Sequence, residues 1–208
     1  MTDSNQDARH RSIQKRLKID LWLRQLVFLL GLAPLIWLFI RFSIGDLGAN
    51  PIEAVTRYLG DWALRFLLIA LAVTPTRILT GWSIFMSLRR MIGLFAFFYV
   101  TLHLLSYVVL DQYFYWAEIW QDIIKRTYIT LGILAVLMLL PLATTSTNKM
   151  IKRLGGRRWR RIHMLIYPAG ILGVIHFYMM TKADFLEPII YGLILLLLFG
   201  VRLYKKLT

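Results

Sequence analysis

Three of the four histidines in this chain lie in or beside strongly apolar segments, where an ionisable side chain is unusual. His103 occurs within residues 89–107, and His163 and His176 occur thirteen residues apart within residues 160–180. The fourth, His10, belongs to a polar and basic N-terminal segment, where a solvated side chain is the simplest interpretation. Because ionisable groups in a bilayer are costly and normally face a partner inside the protein, the three apolar histidines are the first candidates for chemistry.

The composition is that of a membrane protein. Of the 208 residues 58% are hydrophobic, more apolar side chain than a soluble domain of this size can bury. Six apolar runs approach the roughly 20 residues that a bilayer-spanning helix needs. They cover residues 21–42, 62–79, 91–110, 128–143, 162–180 and 188–204. We therefore predict an all-α, polytopic bundle of six transmembrane helices at residues 21–208, after a basic tail at residues 1–20 that does not resemble a secretory signal peptide.

The distribution of charge predicts the orientation of this bundle. Most of the 25 lysine and arginine residues lie in the N-terminal tail, the second and fourth connections between the predicted helices, and the C-terminal end, which all fall on one side of the membrane. The densest group is at residues 149–161, whereas most acidic residues lie in the connections on the opposite side. Since lysine and arginine accumulate on the cytoplasmic side, both termini are predicted to be cytoplasmic. This asymmetry also accounts for most of the net charge of +14, so we predict no nucleic-acid partner. An interaction with anionic membrane lipid, or with an acidic soluble partner at residues 149–161, stays open.

Helix geometry places two of the histidines at one depth. At about 1.5 Å per residue, His103 lies roughly 18 Å and His176 roughly 22 Å from the cytoplasmic ends of the third and fifth predicted helices. Neutral imidazoles on facing helices can supply both axial ligands of a haem iron. Small residues that would let a flat macrocycle approach are present nearby: Gly93, Gly132, Gly170 and Gly173. A proton relay, or histidines that only bond to backbone carbonyls, are the alternatives.

His163 is predicted to lie near the inner surface, about 20 Å below His176 along the same helix. At 3.6 residues per turn the two side chains point roughly 140° apart, unless a kink at Pro168 turns the chain between them. Because the chain has no cysteine, thiolate-bound metals and covalently attached haem are excluded. Ser106 and Tyr107, one turn beyond His103, are predicted to hydrogen-bond near its ring or to serve in packing.

The sequence resembles the MsrQ family, the haem-binding membrane subunits of the MsrPQ methionine sulfoxide reductase system. The resemblance extends over almost the whole chain and is carried by LGANPIEAVTRYLGDWAL (residues 47–64), TP (74–75), RRMIGLFAFFYVTLHLLSY (89–107), TLG (130–132), LATTS (142–146) and WRRIHMLIYPAGILGVIHF (159–177). More distantly, the chain is similar to the transmembrane domain of ferric reductases and NADPH oxidases. In that superfamily a second, inner histidine precedes the outer one on the third helix, but Arg89 stands at that place here.

This resemblance implies an electron-transfer subunit of the bacterial inner membrane. Electrons would come from the quinol pool or a cytoplasmic flavin reductase and pass through haem b to MsrP, a periplasmic molybdopterin-containing reductase that repairs oxidised proteins. It further implies that His103, His176 and His163 are haem ligands, and it leaves room for a second haem at His163. It implies FMN as well, although the sequence contains no phosphate-binding motif. Arg65, predicted three residues into the second helix, is a candidate partner for a haem propionate, or a side chain that reaches the interface.

No substrate chemistry of the chain's own is evident, because it has neither a nucleophile beside a base nor paired carboxylates in a span. Sulfoxide reduction is therefore expected on the partner. Two alternatives are a stand-alone ferric or quinol oxidoreductase, and a small proton-coupled transporter with a histidine relay.

Overall fold

In the computed structural model, which describes residues 2–82 and 84–207, the chain is helical, and none of the described residues forms a β-strand. The helices are α1 (Thr2–Ser43), α2 (Pro51–Thr80), α3 (Arg89–Ser106), α4 (Trp116–Lys125), α5 (Thr127–Thr144), α6 (Asn148–His163), α7 (Ile166–Met180) and α8 (Leu186–Leu207). A 3-10 turn at Ile84–Ser87 precedes α3, and a π-helical turn at Tyr107–Asp111 extends it.

Six segments of the structure are long and apolar enough to cross a membrane, which confirms the predicted all-α bundle of a multi-pass membrane protein. They are Ile19–Ser43, Pro51–Thr80, Arg89–Asp111, Thr127–Thr144, Asn148–Met180 and Leu186–Leu207. The predicted ends lie within a few residues of these in four of the six segments. The second and fifth segments begin well before the predicted positions.

The second transmembrane helix begins at Pro51, eleven residues before its predicted start at residue 62. Asn50 caps it, because its side chain accepts a hydrogen bond of 3.3 Å from the backbone N–H of Glu53. Pro51 then occupies the first helical position, where its missing N–H costs nothing. As a result Arg65 lies fourteen residues into the helix, and its predicted place at the helix start is wrong.

The fifth predicted span is kinked between His163 and His176, as the proline predicted. The basic helix α6, which has a further break at Gly155 (φ 73°, ψ 152°), ends at His163, and α7 begins at Ile166. Because Pro168 has no N–H, the Met164 carbonyl four residues earlier accepts instead from the Tyr167 N–H (3.1 Å). The two histidines therefore lie on either side of a kink within the single apolar segment Asn148–Met180.

Two close helix pairs, α2 with α3 and α5 with α7, form the centre of the bundle, and α8 packs against α2 and α7. Tyr99 of α3 binds α1 to the bundle. Its buried hydroxyl donates to the Gly31 carbonyl (2.8 Å) and accepts from the Leu35 N–H (3.2 Å). Tyr58 donates to the carbonyl of Pro34 in the same stretch of α1 (3.1 Å). The four central helices present their inner faces to one another.

Candidate functional site

His103 of α3 and His176 of α7 lie side by side at the meeting point of the two central helix pairs. Their ring centroids are 6.2 Å apart, and the ring planes are inclined at 76°. Both residues are half-buried among the surrounding helices. The sequence-based expectation that these two imidazoles reach the same depth therefore matches their positions in the structure.

Each imidazole is held by a backbone carbonyl of the helix it packs against. The Nδ1–H of His103 donates to the Thr56 carbonyl of α2 (2.8 Å), and the Nδ1–H of His176 donates to the Tyr128 carbonyl of α5 (2.6 Å). A carbonyl oxygen can only accept a hydrogen bond, so the proton of each neutral ring must reside on Nδ1. The lone pair of each ring is consequently on Nε2, the nitrogen available to a metal.

A glycine lies one helical turn beyond each of these carbonyls. Gly60 follows Thr56 by four residues, and Gly132 follows Tyr128 by four. A Cβ atom would lie 3.1 Å from Nδ1 of His103 at Gly60 and 3.0 Å from Nδ1 of His176 at Gly132. In a helix the side chain of residue i+4 lies next to the backbone carbonyl of residue i. A glycine at i+4 has no side chain, so the imidazole can reach that carbonyl without a close contact.

The two helix pairs thus repeat one arrangement. In each pair the first helix supplies a carbonyl and a Leu-Gly step four residues later, and the second helix supplies the histidine. The Leu-Gly steps are Leu59-Gly60 and Leu131-Gly132. Sequence reasoning included Gly132 among the candidate small residues and overlooked Gly60, which the shared Leu-Gly spacing could have revealed.

The other predicted glycines do not contact the histidines. A Cβ at Gly170 would meet Leu71 at 3.3 Å, and one at Gly173 would meet Leu64 at 3.5 Å, so both serve the packing of α7 against α2. A Cβ at Gly93 would meet nothing within 4 Å. These three glycines therefore do not make room for the imidazoles, and their part in the approach of a flat macrocycle stays a prediction.

Of the two roles predicted for Ser106 and Tyr107, a hydrogen bond near the His103 ring is not seen, and packing remains. The Ser106 hydroxyl donates to the backbone carbonyl of His103 (2.8 Å), and the Tyr107 hydroxyl donates to the Asp122 carboxylate (3.0 Å). Neither bonds to an imidazole ring. The atoms that orient the rings are backbone carbonyls of Thr56 and Tyr128, which no side-chain pattern in the sequence could indicate.

The distance between the rings suits a single metal ion. A metal between the two rings would form two metal–nitrogen bonds of about 2 Å each. The remainder of the 6.2 Å centroid separation is roughly 1 Å per ring, which corresponds to the distance from the bonding nitrogen to the ring centre. Among the described residues no group of three histidine, aspartate or glutamate side chains could hold a metal ion. Two imidazoles alone do not complete a metal's coordination, so the other ligands would come from a bound group.

His163 lies apart from this pair, at the end of α6. Its ring stacks on Trp159 with centroids 4.0 Å apart, and its Nε2 lies 3.3 Å from the Thr145 hydroxyl. Because that hydroxyl already donates to the Pro141 carbonyl (2.6 Å), its oxygen is left to accept a hydrogen bond from His163. In this arrangement Nε2 of His163 carries its hydrogen, unlike Nε2 of the other two histidines.

His163 borders a separate cleft of about 70 Å³ at the end of the bundle where α6 meets α7. Polar and charged lining residues are Arg89, Arg90, Ser146, Trp159 and His163, and the apolar walls include Leu67, Ala70, Gly93, Phe97 and Ile166. No second histidine is part of this lining within the described ranges. Arg89, the first residue of α3, lines this cleft together with His163.

Arg65 contacts α8 rather than either histidine. Its Nε donates to the Tyr191 hydroxyl (2.8 Å), and its guanidinium lies 5.1 Å from the ring centre of Trp62. In the part of the chain that the structure describes, the two Nη groups of Arg65 make no hydrogen bond. This side chain links two helices of the bundle and retains donors for a further group.

Comparison with known proteins places the site in a family context. The family described as ferric reductase like transmembrane component matches residues 59–174, which contain His103, His163 and both Leu-Gly steps but end two residues before His176. The protein-methionine-sulfoxide reductase heme-binding subunit MsrQ of Rhodospirillum rubrum is 60% identical over 177 residues, 85% of each chain. The proteins of the same name from Caulobacter vibrioides (48% over 180 residues, 86% of each chain) and Xanthomonas oryzae pv. oryzae (47% over 191 residues, 89% of this chain and 87% of the relative) are also similar.

Proposed function

Since the chain belongs to the MsrQ family, whose members are named heme-binding subunits of protein-methionine-sulfoxide reductase, we propose that it holds haem b between His103 and His176 and transfers electrons within such a system. The observation that carries the proposal is the adjacent pair of imidazoles, each with Nδ1 bonded to a backbone carbonyl, which leaves the lone pair on Nε2. Haem would supply the remaining ligands of a metal held by both rings.

The protein's own residues set the properties of this site. The carbonyls of Thr56 and Tyr128 fix the orientation of each ring and raise the basicity of the opposite nitrogen. Gly60 and Gly132 allow that contact. Bound haem supplies one-electron redox chemistry there. Arg65, with two Nη groups unused, would bind a haem propionate as a carboxylate partner.

We place this subunit in the bacterial inner membrane with both termini in the cytoplasm, because the basic residues of α6 and of the chain's C-terminal end lie on one side of the bundle. The acceptor would be a periplasmic molybdopterin-containing reductase, MsrP, which carries out sulfoxide reduction for repair of oxidised proteins. The donor would be the quinol pool or a cytoplasmic flavin reductase. Binding of FMN, and of a second haem at His163, rests on the family resemblance alone.

The histidine-relay transporter is disfavoured by the same hydrogen bonds. A proton relay requires neighbouring groups that both accept and release protons, whereas the Nδ1 partners of His103 and His176 are backbone carbonyls. One observation supports the stand-alone ferric reductase: the family that matches residues 59–174 is described as a ferric reductase like transmembrane component. The two oxidoreductase hypotheses differ only in the acceptor.

An acceptor competition separates them. The purified, haem-loaded protein is reduced and mixed rapidly with either oxidised periplasmic reductase or a soluble ferric chelate, and re-oxidation is followed in the visible spectrum. We expect the reductase to re-oxidise the haem faster than the ferric chelate does. The control variant His103→Ala should bind no haem and should therefore give no visible signal. Faster reaction with the ferric chelate would support the stand-alone enzyme, and a preparation that binds no haem would refute both.

A further inference from the structure

The short helix α4 has an exposed apolar stripe that the proposed function does not use. Trp116, Trp120 and Ile124 recur every four residues and therefore lie along one side of the helix. Each is about two-thirds exposed (66%, 64% and 68%). A contiguous apolar surface of this kind marks a contact with another molecule or with a membrane.

The exposed polar residues of α4 lie on a different side of the helix. They are Glu118, Gln121 and Lys125, and the Lys125 ammonium donates to the Gln121 amide oxygen (3.1 Å). At about 100° per residue, these three residues lie roughly 100° to 160° around the helix from the middle of the apolar stripe. The helix thus has one exposed apolar side and one exposed polar side.

A third side of α4 faces the bundle. Ile119 is buried, and the Asp122 carboxylate accepts a hydrogen bond from the Tyr107 hydroxyl (3.0 Å). The Thr130 hydroxyl of α5 donates to the backbone carbonyl of Ile123 (2.5 Å). These contacts fix the rotation of α4 about its own axis, so the apolar stripe is held away from the other helices.

The neighbouring segments place α4 at the boundary of the membrane. Tyr107, which binds Asp122, belongs to the apolar segment Arg89–Asp111. At its other end α4 is separated by Arg126 alone from the next apolar segment, Thr127–Thr144. The ten residues of α4, at about 1.5 Å each, are too few to cross a bilayer. The helix therefore lies beside the ends of two membrane-spanning segments.

The turn before α4 extends the exposed apolar surface and has an unfavourable backbone. Tyr113 and Phe114 have φ angles of 46° and 62°, in the left-handed region that residues other than glycine rarely adopt. The Phe114 N–H donates to the Val108 carbonyl (3.0 Å) and closes the turn. Tyr113, Phe114 and Tyr115 are all more than half exposed, and the ring centroids of Phe114 and Trp116 are 6.3 Å apart. A strained turn that exposes three consecutive aromatic residues indicates a favourable contact outside the chain.

We propose that α4 lies in the interface of the bilayer, parallel to the membrane surface, and inserts Trp116, Trp120 and Ile124 into the lipid. Tryptophan and tyrosine favour this region, because their rings are apolar while their N–H and O–H groups can still bond to water or headgroups. The polar side of α4 faces water, as in other amphipathic helices that lie on membranes. A soluble protein partner fits less well, since its dissociation would leave the apolar stripe in water. This role of α4 does not depend on haem binding.

Because the chain has no cysteine, single-cysteine variants can report which side of α4 faces lipid. Spin labels are attached to Trp120→Cys and Ile124→Cys on the stripe, and to Glu118→Cys and Gln121→Cys on the polar side of the same helix. The full chain is placed in phosphatidylcholine nanodiscs. Power saturation, relative to a nitrogen baseline, measures collisions of each label with oxygen, which concentrates in lipid, and with a water-soluble nickel chelate. Leu137→Cys, an exposed position in the middle of α5, is the reference for lipid.

We expect the ratio of oxygen to nickel collisions at Trp120→Cys and Ile124→Cys to be several-fold higher than at the two polar positions, with Leu137→Cys as the upper limit. Nickel collisions as frequent as at Glu118→Cys would place the stripe in water. Labels that neither reagent reaches would place it against a protein, such as a second copy of the chain. Either result overturns the proposal.

A measurement without labels keeps the test decisive if the labelled variants do not fold. The conservative double variant Trp116→Phe/Trp120→Phe removes only the tryptophan emission of α4, so the difference in emission between the wild type and this variant belongs to that helix. In nanodiscs whose acyl chains carry bromine near the headgroup end, this difference should be smaller than in unbrominated lipid, because bromine quenches tryptophan on contact. An equal difference in both lipids would refute the insertion of α4.

Discussion

Gly132 touches the imidazole of His176 so closely that a Cβ at this position would lie 3.0 Å from Nδ1. The backbone of α5 therefore packs directly against the His176 ring, and the Tyr128 carbonyl one turn earlier accepts a hydrogen bond from it. The same relationship joins Gly60 to His103. These contacts make the two glycines part of the candidate haem site although neither could bind a metal.

A bulky side chain at Gly132 should disturb the site more than the fold. Gly132→Val must push the His176 ring away from the Tyr128 carbonyl, so we expect haem content to fall several-fold while the helical content of the protein is preserved. Gly132→Ala should stabilise α5 by up to about 1 kcal/mol, because alanine favours the helix more than glycine does. Its Cβ would nevertheless press on the His176 ring, so the reduced-minus-oxidised spectrum should shift. The control is Gly200→Ala, where a Cβ would meet nothing within 4 Å. Unchanged haem binding in Gly132→Val would contradict this reading.

The two facing histidines should behave as a unit. His103→Ala and His176→Ala should each abolish one and the same six-coordinate haem spectrum, and the double variant should lose no more than either single one. His163→Ala is expected to spare that spectrum, because His163 bonds to Thr145 at the far end of α5. Haem retained at wild-type content in both single variants would refute the proposed ligand pair.

Tyr99 should be important for stability and not for the haem site. Tyr99→Phe leaves the Gly31 carbonyl and the Leu35 N–H without the hydroxyl between them. At about 1 kcal/mol for each lost hydrogen bond, the variant should unfold at a lower temperature with its haem spectrum intact. Tyr58→Phe, which loses one hydrogen bond to α1, should show a smaller decrease. Equal unfolding midpoints for Tyr99→Phe and the wild type would exclude this role.

The transmembrane segments and the depth of the histidine pair were predictable from the sequence, because hydropathy and helical rise act over many residues. Local signals were harder to interpret. The Asn50-Pro51 start of α2 lies in a polar stretch that a hydropathy criterion treats as a loop, even though the capping pattern was present. The amphipathic helix α4 was missed since its ten residues are too short to span a membrane.

The atoms that orient the histidines could not be predicted for a different reason. Every residue has a backbone carbonyl, so Thr56 and Tyr128 carry no distinguishing side chain as partners of His103 and His176. The only indirect sign is the glycine four residues later, which becomes meaningful when the two Leu-Gly steps are compared. The break between α6 and α7 was easier to predict, because a proline disrupts a helix at the carbonyl four residues earlier, which for Pro168 is that of Met164.

The orientation of the bundle gives a further prediction, and the absence of cysteine from the chain makes it easy to test. If both termini are cytoplasmic, α4 lies on the periplasmic side, whereas the end of α8 faces the cytoplasm. A membrane-impermeant maleimide added to intact cells with a permeabilised outer membrane should then label Glu118→Cys and leave Lys205→Cys unmodified. Both positions are exposed, so both should react once detergent dissolves the membrane. Labelling of Lys205→Cys alone in intact cells would invert the assignment and move the proposed electron acceptor to the opposite side.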